Sequence, residues 1–319
     1  MKKKVSLGFK LPAGMKPPEA FELVSSEGAD DPAAYLAHLE DSQVEGIVTG
    51  MGRRFDVSLI SKLPARIKII ATASVGFDHI DVKAAAARGI AVTNTPDVLT
   101  DATADMTMLL ILNVSRRMRE YLELMKEGWG KSLGFEGMLG FDPAGKYLGI
   151  VGMGRIGQAV AARARAFGIN IAYHNRHRLP PEKEGDAHYF SSLEEMLPHC
   201  KILSLNAPAT AETKELLNKR TIALLPKGAI VVNVARGDLI NEEDLIEALA
   251  NGHLGGAGLD VFKNEPHFNR RLAEFPNVFL TPHAASATVE TRTGIAKRAF
   301  ENVARVLSGE APRDLVQAP

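Results

Sequence analysis

Apolar residues in this chain gather in short unbroken runs, separated by longer stretches in which apolar and charged positions recur with helical spacing. The runs at 5–9, Gly46–Thr49, 67–71 and 90–92 are read as strands, and the Ala-, Leu- and charge-rich segments between them as helices. Short, continuous, β-branched-rich strands are what a sheet covered by helices on both faces presents. Their alternation with helices predicts a parallel sheet wound by crossover connections. The same alternation begins again at Tyr147–Val151, passes through a glycine loop into a helix with Ile156, Val160, Ala164 and Phe167 on one face, and reaches a second strand at 169–173. Further strands are predicted at 230–234 and 278–281. Two α/β domains follow from this order.

Residues 100–126 open on Thr-Asp, a helix-capping pair, and carry apolar positions at Met106, Leu109, Leu110 and Val114. They predict one helix bridging the domains. Val289–Leu307 reads as another long helix, which makes the first domain discontinuous if it packs back on it: residues 1–99 with 284–319, and 100–283 for the second domain. The Gly- and Pro-rich segment 128–145 is expected to form loops along the edge of a cleft, with Trp129 as a packing residue or cleft wall.

Composition narrows the function classes. A chain of 319 residues, 45% apolar and 24% charged, can form two cores. Lys plus Arg equals Asp plus Glu at 38 each, so no net basic field attracts nucleic acid or an anionic membrane. The apolar stretch 106–114 is far short of the roughly 20 residues that span a bilayer. Cys200 is the only cysteine, and the Met-Lys-Lys-Lys start runs into a short strand, not a long apolar signal core, so a reducing cytoplasm is expected. His38, His79, His188, His199, His253 and His267 show no metal-ligand spacing with Cys or acids, and no metal is expected.

The candidate chemistry begins at Gly152-Met153-Gly154-Arg155-Ile156-Gly157, between a strand and a helix. In that context Gly152 serves the tight turn, Gly154 admits a pyrophosphate close to the backbone, and Gly157 lets the helix pack on the strand. The helix amino terminus adds free N–H groups and a positive dipole end. An NAD-selective site would carry an acid after the second strand to hold the ribose 2′-hydroxyl. Here that position reads His174-Asn175-Arg176-His177-Arg178, and Asn175, Arg176 and Arg178 suit a 2′-phosphate, so NADPH is the predicted cofactor. Arg236, Glu265 and His283 each fall beyond a strand-like run in the last third of the chain. Ligands bind at the carboxyl ends of strands in open α/β sheets. A cation, an acid and an imidazole there suggest proton-coupled chemistry on an anionic substrate, with electrons from the cofactor.

Several ordered motifs resemble those of the D-isomer-specific 2-hydroxyacid dehydrogenases, and more narrowly of the glyoxylate/hydroxypyruvate reductases. They are Ser74-Val75-Gly76-Phe77-Asp78-His79-Ile80-Asp81, Thr95-Pro96-Asp97-Val98-Leu99-Thr100-Asp101, the glycine loop, Asn233-Val234-Ala235-Arg236-Gly237, Gly258-Leu259-Asp260-Val261-Phe262 through Glu265-Pro266, and Thr281-Pro282-His283. The resemblance implies a Rossmann-type cofactor domain and a flavodoxin-like substrate domain, both doubly wound, with a cleft between them. It implies hydride transfer to a small 2-oxo acid, with His283 as proton donor, Glu265 orienting the imidazole and Arg236 gripping the substrate carboxylate. Val75 and Gly76 would bind that carboxylate through backbone N–H groups. Asp260 would accept a hydrogen bond from the nicotinamide amide, and Thr103, Ala207, Pro208, Thr213, Val234, Ala235 and Ser286 would line the cofactor. Relatives form homodimers through the cofactor domain. A dinucleotide-sensing corepressor-like protein on the same fold, or an NAD-dependent enzyme of other substrate preference, are the alternatives. Phosphoglycerate dehydrogenase is disfavoured because no regulatory domain follows residue 319.

Overall fold

The computed structural model describes residues 2–317, which divide into two compact units: the chain up to Leu99 together with the segment from Ala287 onward, and Thr100–Ser286. The first unit holds β1 (Lys3–Leu7), β2 (Phe21–Ser25), β3 (Gly46–Thr49), β4 (Ile69–Thr72) and β5 (Ala91–Thr93), in the order β2-β1-β3-β4-β5. The second holds β6 (Tyr147–Val151), β7 (Asn170–His174), β8 (His188–Phe190), β9 (Cys200–Leu205), β10 (Ala229–Asn233), β11 (Leu254–Leu259) and β12 (Val278–Leu280), in the order β12-β11-β10-β9-β6-β7-β8. Strand pairs in both sheets are parallel.

Successive residues of one strand feed two different cores. In β10, Ala229 and Val231 face one apolar layer while Ile230 and Val232 face the other. In the first sheet, Ile47 and Ile70 join one layer and Val48, Ile69 and Ala71 the opposite one. That two-sided burial is why these strands are continuous apolar runs in the sequence. Three helices of the first unit start on acids: Asp31, Asp56 and Asp81 each accept a hydrogen bond from a first-turn N–H, at 2.9, 2.8 and 2.8 Å. Val289–Leu307 is one helix, capped by Thr288, and its Ala296, Ala299, Phe300, Val303 and Leu307 pack with Val5, Val48 and Ile69 of the first sheet. Burying such Val, Leu and Phe side chains contributes about 1.5–3 kcal/mol each.

The structure departs from the sequence reading in three places. The single helix expected over 100–126 is two, Thr100–Ser115 and Met118–Lys126, because Arg117 turns left-handed (φ 55°) and the Phe141 N–H takes the Ser115 carbonyl at 2.9 Å. The first strand lies at Lys3–Leu7, two residues earlier than expected, and Phe21–Ser25 adds an edge strand that its pattern did not reveal. The segment 128–145 has no helix or strand, as expected.

The helix Thr100–Ser115 lies unusually close to β11, and the small-residue sequence Leu254–Leu259 explains how. A Cβ on Gly258 would stand 2.9 Å from Leu110 Cβ, and one on Gly256 2.7 Å from Val114 Cγ1. Leu110 is fully buried, so it cannot swing aside. Gly258→Ala is therefore expected to lower unfolding free energy by about 1–3 kcal/mol through overpacking, measured by urea denaturation; an unchanged midpoint would contradict the close-approach argument.

Candidate functional site

One row of paired residues crosses the whole second sheet. Phe190, His174, Val151, Leu205, Asn233, Leu259 and Leu280 are consecutive register partners, so all seven strands reach the same level. The loops beyond that row carry the glycine loop after β6, Asn175–Arg178 after β7, Ala207 after β9, Arg236 after β10, Asp260 and Glu265 after β11, and His283 after β12.

At one end of the row the His283 Nδ1–H donates to Glu265 Oε2 at 2.6 Å, leaving Nε2 as the outward ring nitrogen. Both side chains are about one-third exposed, at 31% and 32%. Burial pushes the Glu265 carboxyl upward, but hydrogen bonds from His283 and the Phe262 N–H, with the attraction of His283 and Arg236, outweigh it and the net shift is downward. A carboxyl lowered in this way is ionised at neutral pH and stabilises the fold there; that contribution is lost as pH falls through the depressed value. The Phe262 N–H bond to Glu265 Oε1, at 2.8 Å, fixes the acid from its other side.

Arg236 leaves β10 in extended backbone conformation, and its Nη1 donates to the Ala235 carbonyl at 2.7 Å. Asn233, fully buried, holds that loop at two points: Nδ2 donates to Arg236 O at 2.8 Å and Oδ1 accepts from Ala235 N–H at 3.0 Å. Gly237 then passes against the β11 loop, where any Cβ would meet the Phe262 carbonyl carbon at 2.0 Å. The Arg236 and Glu265 loops are thus pressed together by a residue with no side chain.

Asp260 is fully buried and accepts from Thr281 Oγ1 at 2.6 Å, Ala284 N–H at 2.7 Å and Ala285 N–H at 2.9 Å, while its carbonyl accepts the His283 N–H at 2.8 Å. Expected as a nicotinamide partner, this carboxylate is bonded to the turn that carries His283. The turn needs such support, because His283 itself sits in the left-handed region at φ 51°.

The glycine loop fits a dinucleotide. Gly152 turns at φ 94°, and a Cβ there would meet Ala207 N at 2.6 Å; a Cβ on Gly157 would meet Gly152 O at 2.4 Å. In front of Gly154, by contrast, nothing lies within 4 Å. Gly154 is the N-cap of the helix Arg155–Ala166, whose first intrahelical bond runs from Gln158 N–H to Gly154 O, so the first-turn N–H groups have no acceptor within the helix. Met153 is buried, and its N–H donates to Asn175 Oδ1 at 2.7 Å, so Asn175 ties the second strand's end to this loop.

The other expected cofactor residues are spread more widely. Ile156 is partly buried on the same helix, and Val234 and Ala207 are buried at the ends of their strands. Thr213 Oγ1 donates to Pro208 O at 2.7 Å and folds that loop on itself; Thr103 is buried in Thr100–Ser115, and Ser286 ends the second unit partly exposed. Arg176 is exposed, and its charge adds to the Thr210 hydrogen bond in holding the Glu212 carboxyl below the usual carboxylate range. Arg178 is engaged by buried Glu184, which the sequence did not single out. In the first unit, Val75 O accepts from Asn94 Nδ2 at 2.8 Å and Gly76 O from Ser74 Oγ at 2.5 Å, so both carbonyls are held by side chains. The N–H groups of Val75 and Gly76 meet no acceptor among the described residues. Among the described residues no group of three or more His, Cys, Asp or Glu could hold a metal ion, and no helix is long and apolar enough to cross a membrane.

A glycine loop at a helix start, with a carboxylate-bound imidazole and an arginine along the same strand row, is the equipment of a dinucleotide-dependent dehydrogenase. Comparison with known proteins makes that class specific. The chain belongs to the D-isomer-specific 2-hydroxyacid dehydrogenases: the model of that family's NAD-binding domain matches residues 108–285. It is 43% identical to the glyoxylate reductase of Thermococcus kodakarensis over 277 residues, covering 86% of this chain and 83% of that one. It is 38% identical to the glycerate dehydrogenase of Hyphomicrobium methylovorum over 315 residues, 97% of each. Among solved structures it resembles the NADPH-dependent glyoxylate/hydroxypyruvate reductase of Sinorhizobium meliloti, in complex with NADP and malonate, with TM-score 0.87 and 35% identity over 99% of this chain and 97% of that one.

Asp260→Asn is expected to destabilise the protein by about 1–3 kcal/mol, because an amide NH2 must then face one of the buried donors that the carboxylate satisfies. Thermal unfolding measures this; a neutral outcome would mean that the turn does not depend on Asp260.

Proposed function

We propose that the protein is an NADPH-dependent reductase of small 2-oxo acids, glyoxylate and hydroxypyruvate, forming the D-2-hydroxy acids in the cytoplasm. The observation that carries this reading is the 2.6 Å His283–Glu265 hydrogen bond, on the strand row that also presents Arg236 and the glycine loop. Similarity to the glyoxylate reductase of Thermococcus kodakarensis and to the NADPH-dependent glyoxylate/hydroxypyruvate reductase of Sinorhizobium meliloti supports it.

A reduced dinucleotide held at the glycine loop Gly152–Gly157 would supply the hydride that the substrate's carbonyl carbon accepts. As negative charge grows on the carbonyl oxygen, His283 Nε2–H delivers the proton there, and Glu265 keeps the ring oriented through its bond to Nδ1. Arg236 offers a planar fork to the substrate carboxylate and polarises the carbonyl. The unpaired N–H groups of Val75 and Gly76 support a substrate-binding role for residues 1–99 with the last helix, and the glycine loop supports a cofactor-binding role for the other unit. Beyond Arg178, Arg176 supplies charge for a 2′-phosphate, since no acid follows β7 until Glu182.

A homodimer is part of this reading. The helix Met118–Lys126 buries none of its residues, and Leu122 and Met125 are 48% and 59% exposed, continuing into Trp129 at 53%, Phe135 at 98% and Leu139 at 65%. An apolar surface of that kind marks an interaction face, and a second copy is the proposed occupant.

Three expectations follow. In a steady-state panel of glyoxylate, hydroxypyruvate, pyruvate and phenylpyruvate with NADPH and NADH, the first two with NADPH should give the highest kcat/KM, and His283→Ala should lower kcat about a hundredfold or more while NADPH still binds. No turnover by the wild-type protein with any pair would refute the reading. Glu265→Gln leaves the imidazole without the carboxylate that orients it, so kcat should fall about tenfold or more with NADPH binding nearly unchanged; an unchanged kcat would deny Glu265 its role. Leu122→Asp should convert a sedimenting dimer to monomer, and a wild-type monomer would exclude the assembly.

A further inference from the structure

Behind Asn175, Arg176 and Arg178, the loop after β7 holds a buried acid that neither the family motifs nor the catalytic proposal uses. Glu184, last residue of the short helix Pro181–Glu184, is 5% exposed. Its carboxylate receives Arg178 Nε at 3.0 Å on both oxygens and the Tyr173 hydroxyl at 3.1 Å on Oε1. Tyr173 is fully buried, and its own oxygen accepts the Leu179 N–H at 3.0 Å, so the acid is fixed from β7 and from the loop together. Arg165 Nη2 also donates to the Glu184 carbonyl at 3.2 Å. The Arg178 side chain, by contrast, is 65% exposed and passes 5.8 Å from the Tyr189 ring. Tyr189 in turn donates to Asn175 O at 3.3 Å, and Asn175 holds the glycine loop.

We propose that Glu184 is a positioning residue for cofactor selectivity: it pins Arg178 through Nε so that both Nη groups stand ready for the 2′-phosphate of NADPH. The inference rests on the NADPH reading above and adds to it the group that sets the guanidinium. An exposed arginine normally loses rotamer freedom when it grips a ligand, and that loss is subtracted from affinity. Here the loss has already occurred on folding. Arg178 is also kept in place from the other side, because its departure would leave a buried carboxylate without its countercharge. The pinned Nε uses one edge of the guanidinium, and the remaining donors form the end-on fork that suits phosphate oxygens. A phosphate on that fork lies nearer the guanidinium than the carboxylate behind it, so the net field remains attractive. Arg176, exposed and without such a clamp, contributes charge without direction.

The test uses the full-length enzyme and three probes, NADPH, NADH and adenosine 2′,5′-bisphosphate, with dissociation constants from titration of cofactor fluorescence and competition. Glu184→Gln keeps the volume and one acceptor for Nε but removes the charge, and it should weaken NADPH and the bisphosphate about three- to tenfold with NADH changed less than about twofold. Glu184→Ala should weaken the same two probes further, and Arg178→Ala combined with it should add little. Equal losses for NADPH and NADH would reduce Glu184 to a structural anchor and overturn the proposal, as would tighter NADPH binding, which would mean that the acid competes for the guanidinium. If Arg178→Ala and Arg176→Ala both leave the NADPH to NADH ratio unchanged, the NADPH reading itself fails, a result distinct from either Glu184 outcome.

Discussion

Seven strands that end on one register row set everything else in the larger unit. Within the central strands both faces are largely apolar, and backbone N–H and C=O groups are committed to the neighbouring strands, which leaves little room for a charged side chain. Polar function is displaced past the row, where backbone donors are no longer paired and helix amino termini begin. Gly152 and Gly154, Asn175, Ala207, Arg236, Asp260 and His283 all lie within three residues of that row. They are remote in sequence and neighbouring in space for the same reason.

Beyond the row, a second set of buried polar groups converts position into orientation. Asn233 bonds both sides of the Arg236 loop, Asp260 gathers the turn under His283, and Asn175 reaches from β7 to the Met153 N–H. Each is a short side chain at or just past a strand end, where it satisfies backbone groups that the sheet has released. A left-handed histidine would carry a cost in isolation. Three bonds to one buried carboxylate offset it, and the imidazole is thereby fixed by backbone, with the Glu265 contact needed only to set the ring.

The sequence made the architecture legible because two-sided burial leaves a plain signature: runs such as Ile230 to Val232 cannot be half-exposed strands. Arg236, Glu265 and His283 were legible because each followed such a run. The break at Arg117 was not, since it depends on Phe141 capturing a carbonyl across the chain, a contact without local pattern. Asp260 was visible as a residue and not by what it bonds, because a carboxylate after a strand looks the same whether it faces a ligand or a turn. Gly256 and Gly258 carried no reading of their own in the sequence, and their use, to admit the helix Thr100–Ser115 close to β11, shows only in three dimensions.

Glu184 shows the harder limit. Ten residues beyond His174, in a charged segment between two prolines and a glycine, it has every sequence mark of a solvated surface acid. Its burial arises because Tyr173 occupies the core with its hydroxyl turned to the loop, and a buried hydroxyl needs an acceptor. Glu184 supplies that acceptor and, once buried, requires a cation, which Arg178 provides from the solvent side. The order of cause therefore runs from an apolar position outward to the surface arginine. In the proposed reading, the missing acid after β7 and the present acid at 184 are parts of one arrangement: a carboxylate at the strand end would face the ribose directly, whereas one placed behind the arginine leaves that face positive.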